Sequence, residues 1–513
     1  VAVNARVLGA TALVAAGALA AGIVGQLPAF GAGDSAQVAT PSSAPQSLVC
    51  PGPAIAVGAD PADADALSAT GSPKRVTGTV GGTKPKSTAL GKGEVKGGTA
   101  PRALSAPAAS SAGAIAAAQA EQVTVGDAAG LVATTCSAPA SDVWFAAGAT
   151  TTGRTTVLTL ANPSPVAAQV GVRVWTENGA VDAASFSDLV VPAKGRKAVS
   201  LAGVAPSAGG TVVRVTSTGG RVGAALEQRT VRGLESGGVD MTGPTTAPAR
   251  VQVVPGVRVA GAAAVAVAQR ADDFADLQTV VRVLVPGADA TDVSITATPD
   301  GGGQKVTVGR RVAAGVVTDF PVNGLADGTY TIRVTAEQPV VTGVRTAVVG
   351  DAGASRTPED GAPAAGTGGT DGGAEFGSDA GLVGGDGPAD TSTSSAQADP
   401  SSTSTARGID LAWFAAAPGL SGTAAVAVVD APSPVLTLAS TGAAATVRLS
   451  GATEATVKVP AKGSIAVPVT TGLLVLRGAG GLRAGMSYAG ADAVAGYPVS
   501  AADQAAEAVR ITR

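Results

Sequence analysis

Two cysteines, Cys50 and Cys136, and the absence of any histidine bound the chemistry open to this sequence. Without histidine there is no Ser-His-Asp or Cys-His pairing, and the most frequent general base and metal ligand are missing. Two cysteines alone leave a zinc shell half filled, so they do not predict a metal centre. In an oxidising compartment an isolated pair is most simply one disulfide; the alternative is two unrelated buried thiols. Asp63 and Asp65 come nearest to paired carboxylates. They stand in a Pro/Ala-rich stretch with no aromatic cleft around them, and read as turn or cap residues. There is no P-loop, no G-x-S-x-G elbow and no dinucleotide fingerprint in a strand-turn-helix setting. No catalytic, cofactor-binding or metal-ligating residue is therefore expected, and the chain is read as a non-enzyme.

The elements that carry these residues show a duplication. Trp144-Phe145-Ala146-Ala147, Pro163-Ser164-Pro165 and Val191-Pro192-Ala193-Lys194-Gly195 recur in order as Trp413-Phe414-Ala415-Ala416, Pro432-Ser433-Pro434 and Val459-Pro460-Ala461-Lys462-Gly463. Trp to first Pro is 19 residues in both copies. Between these words, Val170, Val172 and Val174 alternate with Gly171, Arg173 and Trp175, which is strand period, and turn residues recur about every 8–12 positions. That pattern predicts an all-β chain of tandem immunoglobulin-like or fibronectin-like sandwiches. Residues 279–303 lie on 156–180 without a gap and mark a more divergent copy. There, Asp327-Gly328-Thr329-Tyr330 resembles the approach to a tyrosine corner. Trp144 and Trp413, at matching positions, are expected to plug the core of their own repeats. Lys194 and Lys462 are expected on surface turns in which the following Gly supplies positive φ.

The predicted organisation is as follows. Residues 1–33 hold an uncharged hydrophobic helix, Val7 to Val24, which is either a membrane anchor or a cleaved signal segment. Residues 34–137 form an irregular region bracketed by Cys50 and Cys136. It contains a basic loop in which Lys74, Arg75, Lys84, Lys86, Lys92, Lys96 and Arg102 face Glu94 alone. An Ala-rich run from Ser111 to Gln122 reads as a short helix. Sandwich repeats occupy 138–244, 245–350 and 408–513. Residues 351–407, with nine acids against Arg356 and Arg407, read as a disordered acidic Gly/Ser/Asp linker spanning on the order of 40 Å.

Leu48-Val49-Cys50-Pro51-Gly52-Pro53, Thr134-Thr135-Cys136 and Trp144-Phe145-Ala146-Ala147-Gly148 resemble the signature of a family of exported actinobacterial proteins classified as a domain of unknown function. The resemblance covers most of the chain. It implies a cell-envelope location and no assigned activity, while the N-terminal segment predicts a body outside the membrane, anchored there or secreted after signal cleavage.

With a net charge of −3 and 3% aromatic residues, neither a nucleic-acid partner nor a base-stacking surface is expected. The expected role is structural or interactive, at the envelope. The alternative is a binding module for a cell-wall glycan or a partner protein. No cofactor is expected; the partner is unassigned, with a wall polymer, another envelope protein and, through the N-terminal segment, the membrane as the candidates.

Overall fold

The computed structural model describes residues 37–39, 46–58, 66–107, 115–124, 129–233, 235–350, 408–500 and 509–511. The hydrophobic segment Val7 to Val24, Asp63, Asp65, Ser111 and the acidic stretch 351–407 lie outside the described residues. Strand β1 (Gln37–Ala39) pairs antiparallel with the last strand, β34 (Val509–Ile511), in one unit. Residues 45–503 form a second unit, which holds everything that follows.

Its N-terminal part is made of short strands rather than irregular chain. β2 (Gln46–Cys50), β6 (Lys86–Ala89) and β7 (Arg102–Ala106) form a sheet in the order β2-β7-β6. β3 (Ile55–Val57) pairs with β4 (Leu67–Ala69), and β5 (Lys74–Thr79), β8 (Ile115–Val123) and β9 (Gly130–Thr135) form the sheet β5-β8-β9. β8 is the described part of the Ala-rich run expected as a helix. Its alternate residues enter two cores: Ala116, Ala118 and Ala120 one, Ile115 and Ala117 another. Small side chains let sheets close on both faces of the strand, and that packing outweighs alanine's helix preference.

The first sandwich uses β10 (Asp142–Phe145), β11 (Arg154–Ala161), β12 (Ala168–Thr176), β13 (Gly179–Val181), β14 (Leu189–Val191), β15 (Arg196–Ser200), β16 (Val212–Thr218), β17 (Gly223–Arg232) and β18 (Glu235–Thr242). One sheet runs β10-β16-β12, with β13 and β14 both on β12; the other runs β15-β11-β17-β18. The outer face of the second sheet is also covered, because Ala225, Val239 and Met241 pack on Ala54, Val123 and Val132 of the N-terminal part.

The second sandwich contains β19 (Ala249–Val259), α1 (Ala262–Ala268), β20 (Val280–Leu284), β21 (Thr291–Pro299), β22 (Val306–Val312), β23 (Thr318–Pro321) and the 22-residue β24 (Gly328–Val349). The first half of β24 pairs with β19 and β21, and its second half pairs with β20, so one strand passes from sheet to sheet. Tyr330 donates from its hydroxyl to Ala326 O at 2.9 Å, the corner expected from the sequence.

The fourth strand of that second sheet is β25 (Ile409–Ala415), with Val349 opposite Ile409. Gly350 N donates to Gly408 O at 2.7 Å. The described residues on either side of 351–407 therefore stand side by side, as the paired ends of β24 and β25. The third sandwich begins after β25, with β26 (Thr423–Val428), β27 (Val435–Ala439), β28 (Ala445–Gly451), β29 (Ala455–Val459), β30 (Ser464–Pro468), β31 (Gly472–Arg477), β32 (Arg483–Ala489) and β33 (Val494–Val499). Its sheets run β26-β31-β28-β29 and β30-β27-β32-β33. The chain is thus all-β, built of tandem antiparallel sandwiches.

Of the three duplicated words, one is structurally equivalent in both copies. The VPAKG turns join β14 to β15 and β29 to β30, with Gly195 N on Pro192 O at 3.1 Å and Gly463 N on Pro460 O at 3.2 Å. Lysine, rather than the following glycine, takes the left-handed conformation, with φ of 53° at Lys194 and 50° at Lys462. The other two words are displaced. Pro163 follows β11 whereas Pro432 precedes β27, its counterpart. Trp144 lies on the strand that opens one sandwich, and Trp413 on the strand that closes another.

Candidate functional site

Strand β25 is where the modules meet. Successive strand side chains point to opposite faces, so Leu411 and Trp413 enter the core of the first sandwich while Ala412 and Phe414 enter that of the second. Trp413 is 2% exposed. Its Nε1 donates to Gln228 Oε1 at 2.9 Å. Arg282 lies 4.6 Å from its ring centroid and Arg345 5.9 Å. Arg282, fully buried, holds Asp319 in two hydrogen bonds of 2.8 Å and reaches back to Gly148 O and Thr211 O of the first sandwich.

Trp144 also leaves the core expected of it. The alternation of β10 turns Phe145 inward, 0% exposed, and Trp144 outward. Trp144 stacks on Trp175 at 5.4 Å and packs with Leu284, Val317 and Val341 of the second sandwich. Both tryptophans are buried as expected. They seal the joint between two sandwiches instead of filling one repeat each.

The buried acids serve the same joints. Asp410 is fully buried and accepts from four backbone amides: Leu131 N at 2.9 Å, Leu411 N at 2.9 Å, Val494 N at 3.1 Å and Val239 N at 3.3 Å. Those amides belong to the N-terminal part, β25 itself, the third sandwich and the first. Asp240 accepts from Trp413 N at 2.8 Å. Glu227 accepts twice from Ile55 N, at 2.8 and 3.1 Å. Asp300 accepts from Thr331 in its own sandwich and from Thr437 and Ser464 in the third.

Burial pushes Asp410 well above the usual carboxylate range, against the pull of its four amide donors. Burial likewise pushes Glu227 and Asp240 up to about 8 each. Asp276 and Asp319 behave differently. Burial raises them, but Arg232 and Arg154 around Asp276, and Arg282 at Asp319, hold both below their ordinary values. Each of these raised acids accepts from amides or hydroxyls of a neighbouring strand, Asp240 through Oδ2 while its Oδ1 is buried without a partner, and none of them faces solvent. Among the described residues no group of three acids or cysteines is placed to hold a metal ion.

Cys50 and Cys136 are joined by a disulfide with Cα atoms 4.2 Å apart, and it sits in a small core with Leu48, Leu104 and Ile115. Beside Cys136 opens a cleft of about 300 Å³ between the N-terminal part, the two inter-sandwich connections and the third sandwich. Ile115, Val143, Pro244, Pro418, Val426 and Val499 are among its walls, and among the described residues no charged side chain lines it. Its hydroxyls are largely engaged: Thr245 donates to Thr342 O and Tyr497 to Ala427 O.

Sequence reasoning missed the acids of the joints. The signal was present: Ile409-Asp410-Leu411-Ala412-Trp413 and Val239-Asp240-Met241 each place one acid in an otherwise apolar strand, and such an acid needs donors from whatever buries it.

Fold and joints together define an all-β protein of interlocked sandwiches whose N-terminal part is closed by one disulfide. The chain belongs to a family of unknown function, DUF5719, whose model matches residues 92–381. The match takes in the end of the basic stretch from Lys92 on, the whole first sandwich and the second through β24. No curated protein and no solved structure matches the chain. No described helix is long and apolar enough to cross a membrane.

Proposed function

We propose that this is a non-enzymatic protein of the cell envelope, exported, with a structural or interaction role. The observation that carries the reading is the use of the buried acids. Asp410, Asp240, Glu227 and Asp300 fasten one module to the next. A buried disulfide between distant segments supports an oxidising location. A rigid, multi-sandwich body suits a protein that presents surfaces to partners. The second reading, a binding module for a wall glycan or partner protein, is favoured by the uncharged cleft at the module junction, since such junctions are frequent binding sites.

The reading is tested in intact cells of the source organism. Added protease should degrade the protein without lysis, and thiol labelling after denaturation should find Cys50 and Cys136 blocked until reductant is added. A protein that is protease-protected in intact cells and carries free thiols would refute it.

A further inference from the structure

The N-terminal basic stretch does not lie free: it is folded onto the first sandwich, where it meets a second group of cations. Gly91 N donates to Lys194 O at 2.7 Å, and Arg196 Nε to Lys92 O at 3.0 Å. These contacts fix the segment after β6 against the β14–β15 turn. Lys84, Lys86, Lys92, Lys96 and Lys194 are all exposed there, with Arg102 and Lys197 half-buried. Glu94 is the only acid in the described stretches 66–107 and 189–200, and Lys197 pairs with it at 3.6 Å. The face therefore carries a large surplus of positive charge on a protein whose net charge is −3.

What stands between the lysines separates the candidate partners. Ser87, Thr88, Gly91, Gly93 and Gly97 are exposed, while the apolar residues Leu90 and Val95 point inward, each 3% exposed. A bilayer-docking face presents large apolar side chains to the acyl boundary; between its lysines this one presents only the small Ala89, and near Lys194 only Val190, Pro192 and Ala193. The exposed cations are all lysines. Lysine acts as a flexible point charge, suited to anionic groups spaced along a mobile chain, where arginine would favour planar bidentate partners.

We infer that this lysine face docks a linear polyanion of the cell wall, a polymer carrying phosphodiester groups along its backbone. The inference rests on the envelope location proposed above, but its test is made in vitro on the purified chain, so either can fail alone.

The experiment is binding of the oxidised full chain to poly(glycerol phosphate) by calorimetry or fluorescence at several salt concentrations. Five lysine contacts predict that raising salt from about 50 to about 200 mM weakens binding roughly a hundredfold by counterion release. In Lys86→Ala/Lys92→Ala/Lys96→Ala that sensitivity should fall to roughly tenfold or less, with affinity reduced at every salt concentration. These side chains are exposed. Unchanged far-ultraviolet circular dichroism and unfolding midpoint in the variant would show that the fold is intact. Replacing Lys305 and Lys458, on other sandwiches, should leave binding as it was. Three results would overturn the inference: no binding at low salt, equal binding by the triple variant, or tighter binding to phosphatidylglycerol vesicles or duplex DNA than to the polymer.

Discussion

Replacing Asp410 by Ala should loosen the one point at which all four modules meet. Four buried amides, on Leu131, Val239, Leu411 and Val494, would lose their acceptor. A buried donor left unsatisfied costs about 1–3 kcal/mol, so four set a ceiling on the order of 10 kcal/mol. Removing a carboxyl whose own burial is unfavourable offsets part of that. The net loss expected is about 3–5 kcal/mol, as for other buried polar groups deprived of a partner. Asp410→Asn is the sharper variant. It keeps the volume and one oxygen, but turns an NH₂ group toward amides that also donate, so most of the loss should remain. The assay is denaturant unfolding of the oxidised full chain, combined with hydrogen exchange at Leu131, Val239 and Val494. All three amides should exchange a hundredfold or more faster, although they stand on three different modules. A loss below about 1 kcal/mol, or acceleration at one amide only, would refute the role given to Asp410.

Three further outcomes follow from the joints. Glu227 and Asp240 have folded values of about 8, above the values they would show unfolded, so the folded state holds their protons more tightly. Their contribution is fully present below about pH 4 and is lost as pH rises to about 8; the melting temperature should therefore rise on acidification from about pH 9 to about pH 5, and a flat or opposite profile would contradict the assignment. Trp413→Ala should cost about 3–5 kcal/mol, because it empties the joint core and removes the ring between Arg282 and Arg345; Trp413→Phe should recover much of this while leaving Gln228 Oε1 without its donor, and equal stability of the two variants would show that packing there is unimportant. Cys50→Ser/Cys136→Ser should lower stability by roughly 4 kcal/mol on the loop-entropy model for a sequence separation of 86, read by chemical denaturation with and without reductant.

The strands and several of their turns were legible in the sequence, for reasons local to the chain. The alternation around Val170, Val172 and Val174 gives β12, and the gapless overlay of 279–303 on 156–180 places β21 on β12. Tyr330 makes its corner. The joints were not legible, because they depend on which sandwich a strand joins. Trp413 follows the spacing of Trp144, yet β25 completes the second sandwich by pairing with β24. No local pattern distinguishes a strand that closes one repeat from a strand that opens the next. The N-terminal part hides its strands for a related reason. Its alanines and glycines carry little hydrophobic signal, and they become strands through what packs on them: Ala118 and Ala133, both 0% exposed, are covered by the third sandwich. The cleft beside Cys136 is a space between four segments distant in sequence, so no motif could have announced it.

The N-terminal part and the three sandwiches form one interlocked body. Scanning calorimetry of the oxidised full chain, with the transition followed in parallel by tryptophan and tyrosine fluorescence, tests this most directly. Trp144, Trp175 and Trp413 report the joint of the first two sandwiches, while of the three tyrosines Tyr488 and Tyr497 report the third sandwich and Tyr330 the second. An interlocked body melts in one transition, at the same temperature by heat and by both probes, and Asp410→Ala splits it. Separate transitions for the sandwiches in the unmodified protein would contradict it.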